Sequence, residues 1–268
     1  MRMMNARGLW RKLMNWLLWF PLMLYAAILL YGWLGSERLI FFPPPATYRD
    51  NENVIKLTTD DGIKISAMYF TNSSARFTIL FSHGNAEDLG NVRGDLEELC
   101  NAGFNAFGYD YHGYGTSEGK PTDRNAYRDI EAAYHHLTDT LHVAPSSIIL
   151  FGRSVGAGAA VDLASRKAVG GLIIQRGFVS AFRVMTHWKI APFDRFDNLA
   201  KIPKVKCPVL IMHGTADTII PPWHGEVLYR AANEPKQIVR IEGANHNDFN
   251  DVAGSKYFAA IREFAGKL

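Results

Sequence analysis

The sequence predicts an α/β domain, a mostly parallel sheet flanked by helices, preceded by one apolar membrane-length helix. Three observations predict it. From Val54 onward, short apolar runs alternate with helix-length stretches, the pattern that crossover connections produce. Residues 13–36 hold 24 positions without a charge. The composition over 268 residues, 48% hydrophobic and 21% charged, predicts a packed core rather than disorder.

The apolar stretch comes first. As a helix, LMNWLLWFPLMLYAAILLYGWLGS reaches about 36 Å, enough to cross a hydrocarbon core of about 30 Å. Trp10, Tyr31 and Trp33 fall where the two interfaces would lie. Pro21 is tolerable where neighbours or water satisfy the freed carbonyl. A cleaved signal peptide fits less well, because it needs small residues at −3 and −1. Cutting after Ala27 puts Tyr25 at −3, and cutting after Gly35 puts Trp33 there. A buried core helix is the third reading. No cysteine lies in this segment to carry a lipid.

Charge supports the span. Arg2, Arg7, Arg11 and Lys12 precede it with no acid among residues 1–12, and the net +3 less these four leaves −1 for the remainder. The basic excess therefore marks membrane orientation and not a nucleic-acid-binding face. The expected topology is single-pass, with the N-terminus cytoplasmic and the α/β domain extracytoplasmic. The expected division is 1–36 for the tip and anchor, 37–53 for a proline-rich linker or collar, and 54–268 for the α/β domain.

The domain opens with two strand-like runs, Val54–Thr59 and Lys64–Phe70, split by the turn signal Asp60-Asp61-Gly62. This hairpin predicts an antiparallel edge. Further strands are expected at Phe77–Ser82, Asn105–Asp110, Ser147–Gly152, Gly171–Gln175, Pro208–Met212 and Gln237–Ile241. Helices are expected near 88–102, 124–141, 155–168, 223–233 and 256–267.

Function gathers at the carboxyl ends of parallel strands. Gly152-Arg153-Ser154-Val155-Gly156 follows one strand and opens a helix, the context of a nucleophile elbow. A serine hydroxyl needs a base. His135, His136 and His142 sit on or beside a helix, and His187 and His224 lie away from strand ends. His83, His112 and His213 each precede a glycine and read as turn residues. His246, in Gly243-Ala244-Asn245-His246-Asn247-Asp248, follows the last strand. Asp217 follows the preceding one and is preferred to Asp248, which stands too near His246 in sequence to orient its ring. The order Ser154, Asp217, His246 is that of the α/β-hydrolases. An oxyanion hole is expected from the Val155 amide and a backbone amide at Asn85 or Ala86. No zinc motif and no phosphate-cradling loop occur, so neither metal nor cofactor is expected. Cys100 and Cys207 allow one disulfide without requiring it.

The stretches FSHGNAEDLG (81–90), YDYHGYGTSEGKP (109–121), DIEAAY (129–134), PVLIMHGTAD (208–217) and GANHND (243–248) resemble the alpha/beta hydrolase domain-containing protein 17 depalmitoylases. They are also similar to bud-emergence-type fungal and bacterial single-pass relatives. The resemblance runs from about Leu39 to the C-terminus. It implies a serine hydrolase with Ser154 as nucleophile, Asp217 as orienting acid and His246 as base, and a minimal cap, in keeping with residues 182–205, which are too short for a large lid. The chain departs from that group at Arg153, where glutamine is usual, and at Arg176-Gly177, where Ser-Pro is usual. It also lacks the lipidated cysteine-rich N-terminus. Arg153 and Arg176 are expected to pair with nearby acids or solvent. The sharper alternative makes them, Arg176 above all, contacts for an anionic substrate.

The expected reaction is hydrolysis of a carboxylic ester or thioester through an acyl-enzyme. The expected partners are a small-molecule or lipid-like acyl ester or thioester and the membrane, with no nucleic acid. A peptidase or amidase on the same scaffold, and a non-catalytic membrane-tethered binding protein, are the alternatives.

Overall fold

Short, continuously buried runs set the centre of the sheet. The computed structural model describes residues 6–268. The strands are β1 (Ile55–Thr58), β2 (Lys64–Phe70), β3 (Thr78–Ser82), β4 (Asn105–Tyr109), β5 (Ile148–Arg153), β6 (Gly171–Gln175), β7 (Val209–Gly214) and β8 (Lys236–Ile241). The helices are α1 (Ala6–Gly35), α2 (Glu37–Ile40), α3 (Leu89–Asn101), α4 (Asp123–His135), α5 (Gly156–Arg166), α6 (Ala181–Thr186), α7 (Asn198–Lys201), α8 (Trp223–Ala231), α9 (Phe249–Ala253) and α10 (Ser255–Ala265). The chain divides into two units after Ile40.

The first unit is helical. Its α1 carries Pro21 inside it, and Met14–Gly35 is long and apolar enough to cross a membrane. Trp16 and Phe20 stack one turn apart at 4.9 Å. None of the apolar stretch is buried, unlike a core helix. Arg2, the first of the four basic residues, lies outside the described residues.

The second unit, Phe41–Leu268, is one eight-stranded sheet in the order β1-β2-β4-β3-β5-β6-β7-β8. The β1/β2 and β2/β4 pairs are antiparallel, and all later pairs are parallel. The opening hairpin forms the antiparallel edge that the Asp60-Asp61-Gly62 turn predicts. In the central strands both faces are buried, as a parallel sheet between helices requires. Phe81, Ile149, Phe151, Ile173, Leu210 and Met212 join α3, α9 and α10 in one core. Their neighbours Leu150, Leu172, Ile174 and Ile211 are equally buried and face the other way.

Helix α3 starts where Asp88 accepts the Asn91 N–H while the Asn91 side chain accepts from the Asp88 N–H, a reciprocal cap. Thr47 donates to Asp88 through its backbone and its hydroxyl, so residues 41–48 lie against the domain. The expected helix over 124–141 is α4 followed by a π-helical turn at His136–Thr140. The region 182–205 is a short cap holding only α6, α7 and a 3-10 turn among the described residues. Met185 and Trp188 there are 83% and 77% exposed. Cys100 and Cys207 are both free thiols.

Candidate active site

Strands β5, β7 and β8 deliver three side chains to one end of the sheet. Ser154 sits in the turn from β5 to α5 with a left-handed backbone, φ 53°. The flanking glycines answer a different demand from the turn freedom their motif suggests. Neither has a positive φ. A Cβ on Gly152 would lie 2.6 Å from the Ala157 Cα, and one on Gly156 would lie 2.2 Å from the Ser82 carbonyl oxygen. Close approach of α5 to β3 and β5 excludes side chains there, and the strained conformation falls on the serine itself. Its N–H donates to the Gln175 carbonyl at 2.9 Å, which ties the turn to β6.

His246 lies between the other two groups. Its Nε2 accepts from the Ser154 hydroxyl at 3.1 Å, and its Nδ1–H donates to Asp217 Oδ2 at 2.8 Å. The second carboxylate oxygen of Asp217 accepts from the Ile219 and Ile220 amides at 3.0 and 2.8 Å. Burial alone would raise the Asp217 carboxyl, but hydrogen bonds from His213, His246 and Ile220 hold it well below the ordinary carboxylate range. The acid is therefore a fixed anion at neutral pH, suited to one imidazole tautomer. Asp248 instead accepts the Asn245 N–H at 2.6 Å.

Two residues were not legible as site components. His213 stands behind the acid, its Nε2 2.8 Å from the Ile220 carbonyl and 3.5 Å from Asp217 Oδ2. Asn245 Oδ1 accepts from Thr218 N at 3.1 Å and from His246 N at 2.7 Å. It bridges the acid loop and the histidine loop. An asparagine directly before the histidine was the available signal.

The other strand-end histidines serve the scaffold. His83 Nε2 lies 3.2 Å from Asp110 Oδ1 and its Nδ1 2.8 Å from the Gly84 carbonyl. His112 Nδ1 lies 2.5 Å from Asp129. His135 and His142 are exposed.

The β3 loop and the start of α5 face the serine turn. Val155 caps α5, so its N–H is among those a helix leaves without an internal acceptor. Asn85 Oδ1 accepts from Phe42 N at 2.9 Å, Tyr114 OH at 2.7 Å and Ala86 N at 3.0 Å. Ala86 is left-handed, φ 56°, and its amide is turned toward Asn85.

Arg153 and Arg176 part company. Arg153 pairs with Asp95 at 2.8 Å and Glu87 at 3.5 Å, and its Nε donates to Gln175 at 3.1 Å. Burial opposes that charge, yet the two acids more than offset it and raise its pKa. The expected pairing with acids holds for Arg153. Arg176 has no ion pair among the described residues; its guanidinium lies 5.7 Å from the Phe249 ring centroid. Among the described residues no group of three or more His, Cys, Asp or Glu side chains could hold a metal.

Residues 73–181 match the Hydrolase_4 family, described as serine aminopeptidase, S33. Alpha/beta hydrolase domain-containing protein 17C of Xenopus tropicalis is 40% identical over 219 residues, 80% of this chain and 70% of that protein. Protein 17B of Homo sapiens is 39% identical over 213 residues, 78% of this chain and 73% of that protein. The Pyrococcus furiosus esterase Pf2001 shares the fold with a TM-score of 0.70 at 20% identity, over 84% of this chain and 99% of that one.

Proposed function

The chain belongs to the alpha/beta hydrolase domain-containing protein 17 family and is a serine hydrolase of the esterase type, and from that premise we propose that it cleaves carboxylic ester or thioester bonds by acyl transfer through Ser154. The observation that carries this reading is the continuous path from Ser154 Oγ through His246 to Asp217, with contacts of 3.1 and 2.8 Å.

In this reading His246 Nε2 takes the hydroxyl proton as Ser154 Oγ attacks the carbonyl carbon. Negative charge develops on the carbonyl oxygen. The Val155 amide and an amide of the Asn85–Ala86 turn receive it, with the N-terminal end of α5 adding its dipole. Asp217 holds Nδ1 protonated and stabilises the imidazolium. His246 returns the proton to the leaving alcohol or thiol. Water, activated by the same imidazole, then cleaves the acyl-enzyme.

The surroundings support this substrate class. Met185, Trp188 and Ile190 in the cap segment and Ile219 beside the acid all expose apolar side chains. Such a surface suits an acyl chain better than a charged peptide. The apolar helix α1 adds a membrane as the place where such chains are found. We propose that 1–36 anchors the protein, that 37–53 leads into the domain and that 54–268 is the catalytic unit, held outside the cytoplasm.

Fluorophosphonate labelling tests the reading. The protein is expected to be labelled and Ser154→Ala to lose labelling completely. Undiminished labelling of that variant overturns the assignment. A wild-type protein that binds acyl esters without labelling or turnover would be a binding protein on this fold.

A further inference from the structure

Arg176 follows β6 directly with a left-handed backbone, φ 53°, the same value as Ser154. The two are neighbours across the sheet end. The Ser154 N–H donates to the Gln175 carbonyl, and the Arg176 N–H donates to the Met212 carbonyl at 2.8 Å. Arg176 therefore stands between the strand that ends in the serine and the strand that leads to Asp217. Strained backbone at a residue other than glycine concentrates at functional sites.

The side chain is buried without a counter-ion. Arg176 is 7% exposed, and its Nε has no hydrogen-bond partner. Each acid around it is already engaged. Glu87 accepts from the Gly84 amide at 2.8 Å and faces Arg153. Asp95 is held by Arg153 and by Asn250 at 3.2 Å. Asp217 is held by His246 and two backbone amides. What remains is the Phe249 ring, a weaker partner for a desolvated cation than a carboxylate. Burial, then Arg153, lowers its pKa to about 10, so the group is still a cation at neutral pH.

We propose that the Arg176 guanidinium binds an anionic group of the substrate, a carboxylate or phosphate carried close to the scissile ester. The proposal rests on Ser154 being the nucleophile. A guanidinium fork matches the two oxygens of such a group, and the incoming anion completes a pair that the folded chain leaves open. Arg176 is then a specificity-determining residue, and the enzyme favours anionic over neutral esters of equal size.

The test compares kcat/KM for two matched pairs of esters on the full-length protein. On the acyl side, the 4-nitrophenyl monoester of succinate is set against 4-nitrophenyl pentanoate. On the alcohol side, the butyrate ester of 4-hydroxybenzoate is set against that of methyl 4-hydroxybenzoate. In at least one pair the anionic ester is preferred, and Arg176→Gln is expected to cut that anionic-to-neutral ratio at least tenfold. Arg176→Lys should retain part of it. The ratio cancels any general loss of activity, and the responding pair says which side of the ester carries the anion. Equal effects of Arg176→Gln on both members of both pairs overturn the proposal while leaving the hydrolase reading intact, provided wild type is labelled by fluorophosphonate. Failure of that labelling removes both. Should the Gln variant not fold, a wild-type enzyme that discriminates against the anion in both pairs overturns the proposal unaided.

Discussion

Asp217 presents its two oxygens to different partners, and that division makes a substitution informative. Oδ1 takes the Ile219 and Ile220 amides while Oδ2 takes His246. In Asp217→Asn the carbonyl oxygen must stay with the two amides, so the NH2 group faces Nδ1. The imidazole then carries its proton on Nε2 and cannot accept from Ser154. We expect kcat to fall about 10⁴-fold with KM on a neutral ester and thermal stability little changed. A loss below tenfold would show that the acid does not orient the base. At this scale the sequence was informative where a motif and the order of strand-end loops act together. Ser154, Asp217 and His246 were legible because their order and strand-end placement leave few alternatives. The engagement of the Ala86 amide by Asn85 and the contrast between Arg153 and Arg176 were not. The first depends on a turn-borne side chain folding back onto the next amide, the second on where long side chains find partners far away in sequence.

Helix α8 is pinned at its first turn by a neutral histidine. His224 Nδ1 accepts the Val179 N–H at 3.2 Å, and its ring stacks on Trp223 at 3.7 Å. Burial, then the neighbouring His213, His187 and Arg183, pulls its pKa down to about 3, with Asp217 acting weakly the other way. A protonated ring would lose the Val179 bond, since Nδ1 would become a donor. The unfolded chain takes up that proton near the ordinary histidine value of about 6.5, and the folded chain resists it. The stabilisation is therefore complete above about 6.5 and is lost as pH falls toward 3. His224→Gln keeps an acceptor for Val179 with nothing to titrate. We expect the Tm of the wild type to drop more steeply between pH 7 and 4.5 than that of the variant; parallel curves would contradict it. Elements of five or more residues with apolar runs, such as β3 and β5, were readable to within a residue or two. Helices α7 and α9, of four and five residues, are too short to display a period. Tertiary contacts, not local pattern, hold them.

For the whole molecule, charge distribution and the apolar helix lead to one expectation about the membrane. The net charge of +3 would misdirect a reading toward nucleic acid if it were spread over the surface. It belongs to Arg2, Arg7, Arg11 and Lys12, ahead of a helix long and apolar enough to span a bilayer. The positive-inside rule counts such residues within about 15–20 positions of a span and keeps them cytoplasmic. Within fifteen positions after the span stand two basic residues, Arg38 and Arg49, against four before it. We therefore expect the full-length protein to resist alkaline carbonate extraction. We also expect a C-terminal reporter that is active only outside the cytoplasm to be active. Changing the four basic residues to glutamate removes the retained charge and should invert or mix the topology, lowering that reporter signal several-fold. Carbonate-soluble protein would remove the anchor. A silent reporter on carbonate-resistant protein would place the hydrolase on the cytoplasmic face. The two outcomes separate membrane attachment, the expectation that rests on apolar length, from orientation, the expectation that rests on the bias of basic residues.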